Sequence, residues 1–222
     1  FVTEPTGHLI ATFILSANGA DFRSKNSWNV LASNEEWAAP IMAEVGPDGQ
    51  LWVIDWYNII VQHNPTPVGF ETGKGNAYVT DLRDKTHGRV YRIVAKDGKP
   101  SAQPPRDWEK GDSPSWVKHL ASDNLFWRRQ AQRLLLEGGS KTVVPQLVKF
   151  ATDRTLDEAG MAPGAMHAIQ TLERLHEVDP GTEGFAAVVA GLTHPAAGVR
   201  RAAVQALAST DSHIGDDDEA KR

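Results

Sequence analysis

The chain has 222 residues, enough for one large domain or two small ones with a real core. Hydrophobic residues make up 41% and charged residues 23%, an ordinary globular composition, and a formal net charge of −5 argues against nucleic acid, whose phosphates need clustered Lys and Arg. The absence of cysteine excludes disulfides, thiolate metal sites, Cys nucleophiles and an attached c-type haem within these residues, and no apolar run approaches the roughly 18–20 residues that cross a bilayer.

Residues 1–96 read as β-structure. The chain starts at Phe1 rather than Met, already among β-formers, which reads as a piece of a longer protein. Candidate strands are 8–15, 40–45, 51–55 and 89–94, with turn signals at Ala17-Asn18-Gly19 and Pro47-Asp48-Gly49. In the second turn Pro presets φ, Asp bonds nearby backbone and Gly accepts positive φ. Several short strands closed in this way predict a sandwich, a barrel or a propeller.

Residues 97–114 hold four prolines and, Trp108 apart, almost nothing apolar, so they are predicted to be an extended linker. Beyond them the period turns helical and repeats over 115–210. Trp127 to Leu135, Gly164 to Leu172 and Val199 to Leu207 align at offsets of 37 and 35 residues. Ala131, Ala168 and Ala203 share one position, where two helices can press close, and Leu135, Leu172 and Leu207 share the next turn. Each copy is preceded by a predicted helix, about 115–121, 142–152 and 182–192. The third, with Pro195 and Arg200, fits the HEAT pattern best. The acidic run Gly215-Asp-Asp-Asp-Glu219 lacks the alternation of a calcium loop, so 211–222 are predicted to be a disordered acidic tail.

Three stretches of the first half stand in order before this array. They are Glu4-Pro5-Thr6-Gly7-His8-Leu9, Gly46-Pro47-Asp48-Gly49 running through Asp55-Trp56-Tyr57-Asn58, and Leu82-Arg83-Asp84-Lys85-Thr86-His87-Gly88-Arg89-Val90-Tyr91-Arg92-Ile93. Together with the repeats they resemble the large planctomycete-type membrane-bound dehydrogenases. In that family a β-propeller similar to soluble quinoprotein glucose/sorbosone dehydrogenases precedes HEAT repeats, usually with a c-type haem domain downstream.

The resemblance implies a two-domain β + α fold: the last one or two propeller blades (1–96), then a HEAT-like solenoid. It implies oxidation of a sugar or alcohol, with pyrroloquinoline quinone and calcium in the full propeller and electrons passing to a downstream haem domain. A periplasmic or extracytoplasmic setting follows from the same likeness. Most of the propeller and the haem motif would lie outside these residues, so the isolated chain is expected to be inactive. The alternative is a propeller/HEAT module without redox chemistry, binding glycans or partner proteins through the solenoid.

Propeller strand ends converge on an axial mouth, which makes Asp55, Trp56, Tyr57 and Asn58 candidates for substrate or cofactor binding. Asp55 would accept a sugar hydroxyl, and Trp56 or Tyr57 would stack on a sugar or quinone. The competing reading has Asp55 bonding the N–H groups of the next turn while Trp56 packs between blades, and it is preferred. His63 and His87 bracket a long loop and are candidates for the base of an alcohol oxidation. Arg83 and Arg89, with Asp84 and Lys85, suit either an anionic quinone carboxylate or, by preference, an ion-pair network. Arg128, Arg129, Arg200 and Arg201 are expected to tie one repeat to the next, His167 to be a packed helix residue and His194 to cap a turn. No His-Glu-x-x-His, nucleophile elbow or phosphate loop is present.

Overall fold

The computed structural model describes residues 1–19, 21–61, 68–73, 79–82, 86–96 and 113–219, with side chains described through residue 209. The chain divides into two compact units, Phe1–Leu15 with Ser24–Ala102, and Ser16–Arg23 with Gln103–Arg222.

The β-structure forms two three-stranded antiparallel sheets. The first has the order β1 (Val2–Glu4), β2 (Leu9–Asn18), β3 (Asp21–Ala32). The second runs β4 (Pro40–Val45), β5 (Leu51–Asp55), β6 (Arg89–Ile93). Among the described residues the sheets close no barrel or propeller.

Period-two alternation explains β5. Leu51, Val53 and Asp55 are buried while Trp52 and Ile54 face outward. The register runs from Leu51↔Ile93 to Asp55↔Arg89 on one side and from Val45↔Leu51 to Pro40↔Asp55 on the other, with an irregularity between Pro40 and Met42. The small core is Ile10, Leu51 and Val53, flanked by Val30, Leu31, Ala43, Tyr91 and Ile93. The two sheets therefore meet across Ile10.

The turn before β5 forms as its residues dictate. Gly49 sits at φ 74° and its N–H donates to the Gly46 carbonyl at 3.0 Å. Asp48 Oδ1 accepts from Gln50 N–H at 3.1 Å and from Trp52 Nε1–H at 3.0 Å. A Cβ on Gly46 would fall inside the Trp52 indole, so Gly is required there. Arg92 adds an ion pair to Asp48. The Trp52 bond, then Arg92, holds the Asp48 carboxyl at about 2.

The sequence does not predict β1 or β3. Nine of the twelve positions of β3 in a row, Asp21 to Asn29, are exposed and mostly polar, so no apolar alternation marks it; pairing with β2 makes it a strand.

Among its described residues the second unit has six α-helices: α1 (Ser113–His119), α2 (Leu125–Gly138), α3 (Val144–Ala151), α4 (Pro163–Arg174), α5 (Glu183–Gly191) and α6 (Ala197–Glu219). They pair in sequence as α1/α2, α3/α4 and α5/α6. The second helices adjoin through α2·α4 and α4·α6, and the first helices through α1·α3 and α3·α5, giving two layers. Ala131, Ala168 and Ala203 are all 0% exposed, as close helix crossings demand. Asn124 and Thr182 cap α2 and α5 through the N–H groups of Phe126 and Phe185. Gly139 ends α2 at φ 55°.

Helical backbone is described through Glu219. One expectation changes here. The hydrogen bonds of Arg128 and Arg200 stay within their own repeats and do not run to the next. Arg128 donates to the carbonyls of Ser122 (2.6 Å) and Asp123 (3.1 Å), and Arg200 to those of His194 (2.7 Å) and Pro195 (2.8 Å). Each arginine reaches back six and five residues to the turn of its own hairpin. The predicted linker falls almost wholly outside the described residues.

Candidate functional site

At the end of β5 the chain turns sharply, and Asp55 causes it. Asp55 is 1% exposed. Its Oδ1 accepts from Ala39 N–H at 2.7 Å and Tyr57 N–H at 2.9 Å, and its Oδ2 accepts from the Tyr91 hydroxyl at 3.0 Å. A carboxylate so engaged is a structural hub with no oxygen directed to solvent chemistry. Of the two readings offered for Asp55, the backbone-bonding one matches these contacts. Asn58 is also buried, and its Oδ1 accepts from Ile60 N–H at 3.0 Å. Trp56 is partly exposed and its N–H donates to the Ala39 carbonyl.

The turn forces Tyr57 to φ 54°, a left-handed conformation that costs an L-residue about 1–3 kcal/mol and persists only where neighbours over-determine it. Those neighbours form a cluster. The Arg89 guanidinium lies 3.5 Å over the Tyr57 ring centroid. Glu35 accepts from the Tyr57 hydroxyl and from Arg89 Nη1 at 3.0 Å. Trp37 stands 5.9 Å from Tyr57, tilted by 32°, and His87 meets the same ring at 6.5 Å in an edge arrangement.

The electrostatics are consistent with the geometry. The Tyr57 hydrogen bond, then Arg89, lowers the Glu35 carboxyl below its usual range. The hydrogen bond to Glu35 raises the Tyr57 phenol. The bond to Tyr91, and then Glu35, raises the Arg89 guanidinium. Around neutral pH the cluster thus presents a carboxylate, a guanidinium and two neutral aromatic rings on one exposed edge.

Of the residues singled out from sequence, Tyr57, His87 and Arg89 come together here. Asp55 supports them from beneath. Asn58 bonds within its own turn, and no contact of the Trp56 side chain ties it to the cluster. His63 and Arg83 lie outside the described residues. Sequence reasoning missed Glu35, Trp37, Tyr91 and His8. Tyr91 was findable, because strand alternation places it on the same face as Arg89. Glu35 and Trp37 sit between strands, where no periodicity speaks. His8, at φ 56°, bonds the Ala38 carbonyl through Nδ1 and so holds the loop that Asp55 also grips.

Calcium and quinone were implied by the resemblance for the full propeller rather than for these residues. Among these residues no group of three or more His, Cys, Asp or Glu could hold a metal ion. Both Asp55 oxygens are bound by protein donors.

Residues 1–97 match a family described as a domain of unknown function, DUF7133. No curated protein and no solved structure matches the chain. Among the described residues no helix is long and apolar enough to cross a membrane.

Proposed function

We propose that the two sheets are successive blades of a β-propeller and the helices HEAT-type repeats, so that the chain is the propeller-to-solenoid junction of a protein resembling quinoprotein sugar and alcohol dehydrogenases. Its own part is to bind a hydroxyl-rich ligand, a sugar or polyol, at the Glu35–Tyr57–Arg89 cluster. Oxidation and electron transfer to a haem domain belong to residues outside this chain.

The observation that carries the binding role is the exposed pairing of a carboxylate and a guanidinium beside aromatic rings. Adjacent hydroxyls of a sugar donate to Glu35 and accept from Arg89, while the apolar C–H face of the ring rests on Trp37. Two features support the blade reading. The sheets pack face to face over Ile10, and the second sheet is apolar on both faces. Met42, Ile54 and Val90 form one cross-strand row on its outer face, 41%, 43% and 66% exposed. A blade within a propeller is covered on both sides. The matched arginine contacts of α2 and α6 support the repeat reading.

Titration with glucose and other aldoses, followed by tryptophan fluorescence, tests the binding role. Saturable binding that Arg89→Ala weakens at least five-fold is expected. No binding, or binding unchanged in Arg89→Ala, defeats it. With pyrroloquinoline quinone, calcium and a dye acceptor the chain alone is expected to show no turnover. Dye reduction by this chain would relocate the oxidising groups into it.

A further inference from the structure

We propose that the groove across α2, α4 and α6 docks an extended acidic segment of a partner protein. The groove encloses ≈ 630 Å³ and lies wholly within the helical unit. It deepens the alternative reading in which the helices bind a partner protein, and it does not depend on the sugar site.

Charge is the first argument. The chain as a whole carries −5, yet the groove presents Arg129, Arg133 and Arg174 against a single Glu173. Their internal pairings are loose. Arg133 meets Glu137 at 3.7 Å on its own helix and Arg174 meets Glu173 at 3.9 Å, both with exposed guanidiniums. Glu173 is itself bound by the Ser209 hydroxyl at 3.0 Å. Arg129 has no carboxylate partner among the described residues. Such guanidiniums keep donors available for bidentate carboxylate contacts.

The second argument is the polar row. Arg133, Gln170 and Gln205 occupy the same position in the three aligned helices, at offsets of 37 and 35 residues. Helices pack about 8–10 Å apart, so the row spans roughly 20 Å. About six extended residues cover that length at ~3.3 Å each. Gln170 and Gln205 form no side-chain hydrogen bond among the described residues. Each amide offers a donor and an acceptor, the complement of a peptide group. The small buried Ala202 and Ala206 let a backbone approach. No aromatic side chain lines the groove, so a stacking platform for nucleic-acid bases is missing and an acidic polypeptide is the better fit.

The test is fluorescence anisotropy with a labelled ten-residue peptide alternating Asp or Glu with Ser, a Gln/Ser peptide of equal length and a single-stranded oligonucleotide. Expected are saturable, salt-sensitive binding of the acidic peptide alone, at least ten-fold loss in the double variant Arg129→Glu/Arg174→Glu, and a several-fold loss in Gln170→Ala/Gln205→Ala. Lys149→Glu, exposed on α3, should bind as the parent does. Circular dichroism checks that each variant folds. Absence of saturable binding, equal binding by the arginine variant, or oligonucleotide binding as tight as the peptide's overturns the proposal. If the arginine variant fails to fold, the glutamine pair decides it.

Discussion

The sheets and the helices of this protein solve burial differently. The helical unit shares one continuous core from Val117 to Ala206, built on alanines where helices cross and leucines or valines between them. Among the described residues the apolar core cluster of the sheet unit is Ile10, Leu51 and Val53, while apolar Met42, Ile54 and Val90 stay outside. At about 25 cal/mol per Å² of apolar area, the helices carry their own stability and the sheets lean on polar hubs such as Asp55. A domain with so small a core is sensitive to the loss of one hydrogen-bonded carboxylate.

The largest effect is expected from Leu172→Ala, which opens a cavity beside a residue with no solvent exposure. Destabilisation of about 2–5 kcal/mol should appear in urea denaturation followed at 222 nm. A loss below about 1 kcal/mol would mean that the helices do not share the packed core described. Asp55→Ala comes next. It strips the partner from Ala39 N–H, Tyr57 N–H and the Tyr91 hydroxyl, for about 3 kcal/mol in all. Amide exchange should rise around residues 38–58 while α4 stays protected; unchanged exchange there would refute the hub role.

The pH response separates the units in a third way. His167 is buried against Gln132, with Nδ1 3.1 Å from Gln132 Oε1 and its Nε2 without a hydrogen-bond partner. Burial first, then Arg128 and Arg129, lowers it from 6.5 to about 4. The unfolded chain takes up this proton in the window from pH 6.5 to 4 and the native chain resists it. The contribution is therefore whole above pH 6.5 and is lost as pH falls toward 4. The urea midpoint of the helical signal should drop across that window, and His167→Gln should flatten the slope. A slope kept intact in the variant would assign it to other groups.

The smallest effect is expected from Ile54→Thr on the outer sheet face. In this chain it should change stability by less than about 0.5 kcal/mol, because the side chain already meets solvent. In a longer protein that supplies a neighbouring blade, the same change should cost more and lower the melting temperature measurably. Equal effects in both would argue that nothing covers this face.

Much of the helical half was legible because its signal is local and periodic. Ala131, Ala168 and Ala203 recur at fixed offsets, and a buried 3.6-residue stripe leaves the same mark in every copy. β4, β5 and most of β2 and β6 were legible for the same reason at period two. β3 was not, since its residues are exposed and only its neighbour makes it a strand. The candidate site was half legible: Tyr57, His87 and Arg89 stood in quoted motifs, whereas Glu35 and Trp37 sit in a connection with no period.

Composition and spacing alone determined that the chain has no thiol chemistry, that a β-rich half precedes a helical one, and that the helices come in repeats. These depend on residue type and on short-range periodicity, which a linear string contains. Tertiary structure decided that Asp55 is spent on backbone donors, that Arg128 and Arg200 clamp their own turns, and that Glu35 meets Arg89 across 54 residues of chain. Such pairings are set by strand register and loop closure, and no local pattern encodes which distant side chain a charged group will meet.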